Sequence, residues 1–346
     1  MISPSIPTGR ASATRVTRIL RHDLGEVPAV GDGRGLAVRA VELAQQAGAP
    51  EVEIQAADAL GWAEFWMSPG GADYEKAQQT WERVAELATS AGDLTAAART
   101  KGWAALAADF RLDVAGAESQ MEEAMALAEQ AGSLRALIAA HVAAARTRHL
   151  QGRLEEAVEL GRRWFDLSLQ AGERLEAVAA CAFGLAPPLR LLGRLDEAWD
   201  ATEQGLRISE EITDSAYESS VRWERIRLLL FWGRIDQANG ELDRIEEITD
   251  LSDEEDYRLW GSVAALVRAA QGRDQDAQRV WVRVIGRGEP DWFVSESMID
   301  FARFLLDRGR IDEARSMVTQ AAEIVDGTGA TLLERQVEEL RSQLDS

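Results

Sequence analysis

The side chains able to do chemistry are few and widely spaced. His22, His141 and His149 are the only imidazoles. His141 and His149 lie eight residues apart, about two turns of a helix, with no cysteine beside them and no His-Glu-x-x-His arrangement. A zinc site wants closer ligands than that. Gly31-Asp32-Gly33-Arg34-Gly35 is glycine-rich but lacks the lysine and the preceding strand of a phosphate-binding loop. Asp250, Asp253, Glu254, Glu255 and Asp256 cluster, but without the twelve-residue oxygen ladder of a calcium loop. Ser252 with Glu255 three later reads as a capping box, and acids suit the start of a helix. Cys181 stands in an alanine-rich stretch as a small buried hydrophobe. No Ser-His-Asp set follows from spacing. The residues predict no catalytic group, no cofactor and no metal, which leaves recognition as the available chemistry.

The elements that position these residues repeat. Gly152-Arg153-Leu154-Glu155-Glu156-Ala157 recurs at Gly193, Gly233 and Gly309, with a degraded copy at Gly272. Ala72-Asp73-Tyr74-Glu75-Lys76-Ala77 has lost its glycine, and Leu112-Asp113-Val114-Ala115-Gly116-Ala117 has diverged further. The closing alanines Ala77, Ala117, Ala157, Ala198, Ala238, Ala277 and Ala314 recur about every 40 residues, the signature of a solenoid. Ala-Gly pairs at Ala91, Ala131 and Ala171 stop a helix. Apolar residues between these marks recur at three- and four-residue spacing, and Ala, Leu, Glu, Arg and Gln favour helix over strand. The pattern predicts helix pairs at about 51–67/73–90, 94–109/113–130, 134–150/154–170, 174–191/195–212, 215–231/235–249, 254–270/274–286 and 291–307/311–326. A half repeat at 34–47 precedes them, and a polar capping helix at 331–344 follows.

These repeats resemble tetratricopeptide repeats in a long, 40-residue form, over roughly residues 34–330. The small residue at the Ala77/Ala157/Ala314 position, followed four and seven later by Trp81/Val84, Met121/Ala124, Trp281/Val284 and Val318/Ala321, carries the likeness. Gly161/Trp164 swaps large and small, and the family's tyrosine is missing from most first helices. The resemblance implies an all-α, right-handed solenoid of about seven helix pairs with a capping helix. Long repeats of this kind are similar to the sensor regions of bacterial signal-transduction ATPases and transcription activators. No nucleotide-binding core or helix-turn-helix is recognisable in this chain.

The resemblance also implies that first helices line a concave face. Its exposed positions would carry Trp62, Trp66, Val142, Arg146, His149, Phe183, Pro187, Arg190, Trp223, Arg227, Leu230, Ile299, Arg303 and Leu306. Trp62, Trp66, Arg146, His149, Phe183, Arg190, Trp223, Arg227 and Arg303 are the candidate binding residues. Arginine presents a fork to acidic groups, and tryptophan a large rigid contact. The same arginines also suit intramolecular pairs with neighbouring glutamates. Trp81, Trp103, Trp164, Trp260 and Trp281 read as core. Pro187-Pro188 in the fourth pair predicts either a kinked first helix that widens the groove or a short helix restarted at Pro187.

Net charge is −21. Such a field opposes phosphate contacts, so nucleic acid is not an expected partner. Residues 1–22 hold no acid but include Arg10, Arg15, Arg18 and Arg21, and segment 1–33 is expected to be a flexible basic arm before a superhelical domain at 34–346. A single cysteine fits a reducing cytoplasm. No apolar run approaches a membrane span, and no secretion signal opens the chain. Lysine occurs only at Lys76 and Lys101, and the wealth of Arg, Ala and Gly suggests a bacterial genome. The leading expectation is a non-enzymatic scaffold holding a protein or peptide, with acidic groups, on its concave face. The alternatives are a small-molecule or peptide sensor regulating a partner, marked by a closed pocket near Trp223 and Pro187, and an enzyme built on a solenoid.

Overall fold

A computed structural model describes residues 33–67, 72–212, 216–249, 251, 254–286 and 290–346. The expected basic arm, with Arg10, Arg15, Arg18, Arg21 and His22, lies outside the described residues. So do Ser252 and the side chains of the acidic cluster.

The described chain is helical throughout, with no strand among the described residues. Helix α1 (Gly33–Ala47) precedes seven pairs. These are α2 (Pro50–Met67) with α3 (Tyr74–Ser90), α4 (Leu94–Phe110) with α5 (Val114–Ala131), and α6 (Leu134–Leu150) with α7 (Leu154–Ala171). In the fourth pair α8 (Arg174–Ala179), a π-helical turn (Ala180–Leu185) and α9 (Ala186–Leu191) together face α10 (Leu195–Ile212). Then follow α11 (Ala216–Phe231) with α12 (Ile235–Ile248), α13 (Glu254–Ala270) with α14 (Asp274–Ile285), and α15 (Trp292–Asp307) with α16 (Ile311–Val325). Helix α17 (Thr331–Asp345) ends the chain.

The repeated motif explains each crossing. Gly152, Gly193, Gly233, Gly272 and Gly309 take φ between 69° and 75°, the left-handed cap a glycine adopts without a Cβ clash. In the diverged copy Leu112 holds the same conformation at φ 63°, and burial of its side chain offsets the strain. Arg153 and Arg310 sit at helix starts without capping the backbone. Each instead forks onto the acid three residues later, with Nε donating to Glu156 and Glu313 at 2.7 Å. Asp73, Asp93 and Asp113 cap their helices directly. All seven closing alanines are fully buried; a larger side chain there would push the paired helices apart.

Two layers result. The second helices are amphipathic, as in α7, where Ala157, Gly161, Trp164, Leu167 and Ser168 form the buried stripe. The first helices are buried on most sides, as in α4, α6 and α15, and close packing there explains the runs of alanine in α6. They form the inner layer.

The disturbance at Pro187-Pro188 is close to the expected restart, with an addition. The chain widens into the π-turn just before the prolines, and α-helix resumes at Ala186 with both prolines in the first turn of α9, where missing N–H groups cost little. A Cβ on Gly161 of α7 would fall far inside contact distance of the Gly184 carbonyl, and one on Gly184 would lie 2.9 Å from the Trp164 ring. The two glycines let α7 and the π-turn touch backbone to backbone.

The last repeat and the C-terminal helix curl back onto the second and third pairs. Helix α15 packs on α4, and α17 packs on α6 as well as on α15 and α16. Phe110 meets Trp292 and Phe293 edge-on or tilted, with centroids 5.9 and 5.8 Å away. Helix α17 is therefore more than a polar cap: Leu332, Leu333, Val337, Leu340 and Leu344 are buried, and the tip of Arg335 rests over Gly152.

Candidate functional site

A pocket lies where the inner helices of the first five pairs converge. Trp62, Phe65 and Trp66 of α2 line it, with Trp103, Leu106 and Phe110 of α4 and Val142 and Arg146 of α6. Trp164 of α7, Glu176 and Ala179 of α8, Phe183 of the π-turn and Tyr217 of α11 complete the wall. The cavity itself is about 50 Å³, and about 580 Å³ when the space up to its open mouth is counted. The aromatic walls hold one another rigidly: Trp62 meets Phe65, Trp81 and Trp103 edge to face at 5.7, 5.1 and 5.0 Å. Such pairs prefer this geometry because ring edges are positive and faces negative.

Two ionisable side chains stand in this apolar lining. Arg146 is 6% exposed. Its guanidinium lies over the Trp292 ring at 3.7 Å and the Phe110 ring at 5.0 Å, a cation–π arrangement. Its Nε and Nη2 have no hydrogen-bond partner among the described residues. Burial lowers its pKa, opposed by the fields of Asp109, Glu296 and Tyr74. Glu176, on the other wall, is raised to about 7 by burial, opposed by the indole of Trp164. Its carboxyl is thus held largely neutral below neutral pH and ionises around it.

Deeper in the superhelix the arginines have acids of their own. Arg190 forks onto Glu224, Nε to Oε2 at 2.9 Å and Nη2 to Oε1 at 3.3 Å. Arg227 pairs with Asp300 at 3.0 Å and Glu296 at 3.7 Å, across the superhelix from α11 to α15. Burial opposes its charge, and the carboxylates of Asp300, Glu296 and Glu224 outweigh burial and raise its pKa. Arg303 reaches Asp300 and Gln336, both at 3.3 Å. No group of His, Cys, Asp and Glu among the described residues is arranged to hold a metal ion, and no described helix is long and apolar enough to cross a membrane.

No protein-family model matches the chain, and no curated protein sequence matches it. Solved structures do. A Rap protein complexed with competence and sporulation factor superposes with a TM-score of 0.55 at 14% identity, over 97% of this chain and 86% of that one. The fold is a tetratricopeptide-type superhelix. A signal-transduction ATPase with numerous domains from Pyrococcus horikoshii, bearing a tetratricopeptide-repeat sensor, aligns more loosely. Its TM-score is 0.48 at 11% identity, over 97% of this chain and 55% of that one.

Against that tetratricopeptide frame, the candidate residues divide. Trp62, Trp66, Arg146 and Phe183 come together in the pocket. His149, Arg190, Trp223, Arg227 and Arg303 do not line it. His149 is buried, and burial, with the charges of Arg146 and Arg190, pushes its pKa down to about 3. Trp223 is 1% exposed, its Nε1 donating to Ser262 Oγ at 2.8 Å and its ring under Arg227. Pro187 is buried in α9 and lies outside the pocket wall. Trp81, Trp103, Trp164, Trp260 and Trp281 are buried, as expected of core, but Trp103 and Trp164 also face the pocket. The sequence reading passed over Glu176, Phe110 and Tyr217. A lone acid on the otherwise apolar Glu176-Ala177-Val178-Ala179-Ala180 run was the available signal for the first. Glu224, on the inner helix of the repeat after Arg190, was legible from the repeat; Asp300, two repeats beyond Arg227, carries no such signal.

Proposed function

We propose that the protein is a non-enzymatic sensor, which takes a short peptide or small molecule into the pocket between α2, α4, α6, the π-turn and α11 and passes the occupied state to a partner. The observation that carries this reading is the pocket itself: a rigid aromatic cavity with one buried cation, opening among the inner helices. An apolar cavity with few, convergent polar groups is the usual form of a ligand site. The Rap protein of similar fold was solved in complex with competence and sporulation factor, which supports a binding role for such a superhelix.

The broader scaffold reading, in which the concave face grips an extended acidic segment, has a weaker basis. Arg190 and Arg227 already face Glu224, Glu296 and Asp300, so a partner's acids would have to displace largely buried pairs, and the more exposed Arg303 is itself paired with Asp300.

Native mass spectrometry of the full chain captured from its own cells tests the choice. The expected result is a small added mass on the wild type that is absent from Phe183→Asp, a variant that places a charge in the pocket wall. A protein partner retained equally by both, with no added mass, would overturn the sensor reading.

A further inference from the structure

Resting on the pocket reading above, we infer that the pocket selects a carboxylate carried on an apolar body of aromatic size, whether a free hydrophobic acid or the last residue of a peptide. Nε and Nη2 of Arg146, and Nε1 of Trp62, Trp66 and Trp103, are buried, belong to side chains that line the pocket, and meet no protein acceptor among the described residues. A buried donor without an acceptor is one of the costlier defects in a fold. Several gathered around one cavity fit a ligand that brings the acceptors.

The two free Arg146 atoms define the acceptor's shape. Nε and Nη2 share one edge of the guanidinium and present two parallel N–H groups, the spacing that matches the two oxygens of a carboxylate. Asp109 and Glu296 act on Arg146 through their fields, yet neither forms an ion pair with it. Asp109 instead accepts a hydrogen bond from Thr147 Oγ1 at 2.8 Å. The charge count limits the ligand to a monoanion. Among the described residues, Arg146 is the only cation in the pocket lining, so a phosphate dianion would bring more charge than the described wall can offset. The aromatic walls supply the rest of the selectivity: Trp62, Trp66 and Phe183 suit a flat or branched apolar body placed against the guanidinium.

The full chain is titrated with 3-phenylpropanoate and 3-phenylpropanamide, and with Ala-Ala-Phe carrying a free or an amidated C-terminus, followed by tryptophan fluorescence and heat. Each acid is expected to bind roughly ten- to a hundredfold tighter than its amide, the range of a charge-assisted pair. The pair that binds more tightly identifies the source as a free acid or a peptide end. Arg146→Met should abolish the preference for acid over amide, and Arg146→Lys, which keeps the charge but loses the fork, should retain part of it. Equal binding of acid and amide to the wild type, or a preference that survives Arg146→Met, overturns the inference. If Arg146→Met fails to fold by circular dichroism, the wild-type contrast and Arg146→Lys decide. Amides that bind as well as acids, with both lost in Phe183→Asp, would sink the carboxylate and leave the pocket standing. No binding of any of the four compounds would remove both.

Discussion

At the scale of single residues, the glycines and the buried acids govern what the fold tolerates. Gly161 touches the backbone of Gly184, so Gly161→Ala is expected to cost about 1–3 kcal/mol, the usual penalty for overfilling a packed contact. Gly240 is its control: it lies exposed within α12 with nothing near an added Cβ, and Gly240→Ala should gain about 0.5–1 kcal/mol. Urea unfolding of both variants checks the pair, and equal effects would contradict the backbone contact. Asp109 makes a prediction in pH. Burial raises its pKa to about 8, opposed by the Thr147 hydrogen bond. The unfolded chain releases this proton near the ordinary value of 3.8, whereas the folded chain keeps it until about pH 8. The folded state therefore binds more protons in this window, and stability falls as pH rises through it. Glu176 acts in the same direction between 4.5 and about 7. His149 acts oppositely, losing stability as pH falls from 6.5 towards 3. Asp109→Asn keeps an acceptor for Thr147 and cannot ionise. Its stability relative to wild type should rise from pH 5 to pH 8, measured by denaturant titration at each pH; a constant difference would refute the buried neutral acid.

At the scale of elements, most boundaries follow from the six-residue motif. The glycine forces a left-handed stop, the next residue starts a helix, and the closing alanine fixes the crossing. Predicted and observed helices accordingly agree to within a few residues. The start residue differs in kind between repeats, and this can be measured. Asp113 accepts a hydrogen bond from Gly116 N, so Asp113→Ala should cost about 0.5–2 kcal/mol as a lost cap. Arg153 makes no such cap and instead joins an exposed pair with Glu156. Arg153→Ala should leave stability nearly unchanged, because the pair it breaks is exposed and screened. Thermal unfolding distinguishes the two, and a larger loss at Arg153 would reverse the assignment. The π-turn was less legible because two ordinary responses to Pro187-Pro188 are known from sequence. Widening the helix satisfied the chain more cheaply only because Gly161 stands opposite Gly184, and the residue facing a helix across a packing contact carries no periodic mark in the sequence.

At the scale of the whole molecule, repeat periodicity describes contacts between neighbours and says nothing of contacts across the superhelix. The approach of α15 to α4 therefore has no local signal, and neither does the stacking of Arg146 on Trp292 that brings a pocket residue against the last repeat. The pocket was half legible for the same reason. Trp62, Trp66, Arg146 and Phe183 follow from inner-face register, whereas their separation from Arg190, Arg227 and Arg303 depends on how tightly the superhelix winds. Ending the chain before α17 removes the contact of that helix with α6 and uncovers the apolar side chains of the last pair that share a core with Leu333, Val337, Leu340 and Leu344. Small-angle scattering should then show a larger radius of gyration than for the full chain. An unchanged radius would assign closure to the aromatic contacts of Phe110, Trp292 and Phe293 alone.

The contact between Phe110 and Trp292 joins residues separated by more than half the chain, and this changes how the molecule should assemble. An open array of repeats can nucleate anywhere, zip along its length and fray from either end. A chain whose second and last repeats touch must close a long loop, and the entropy of closure is met before the final contact rewards it. Rapid growth of helix followed by a distinct slow phase in tryptophan fluorescence is the expected refolding record, with Trp292→Leu removing the slow phase and leaving the fast one.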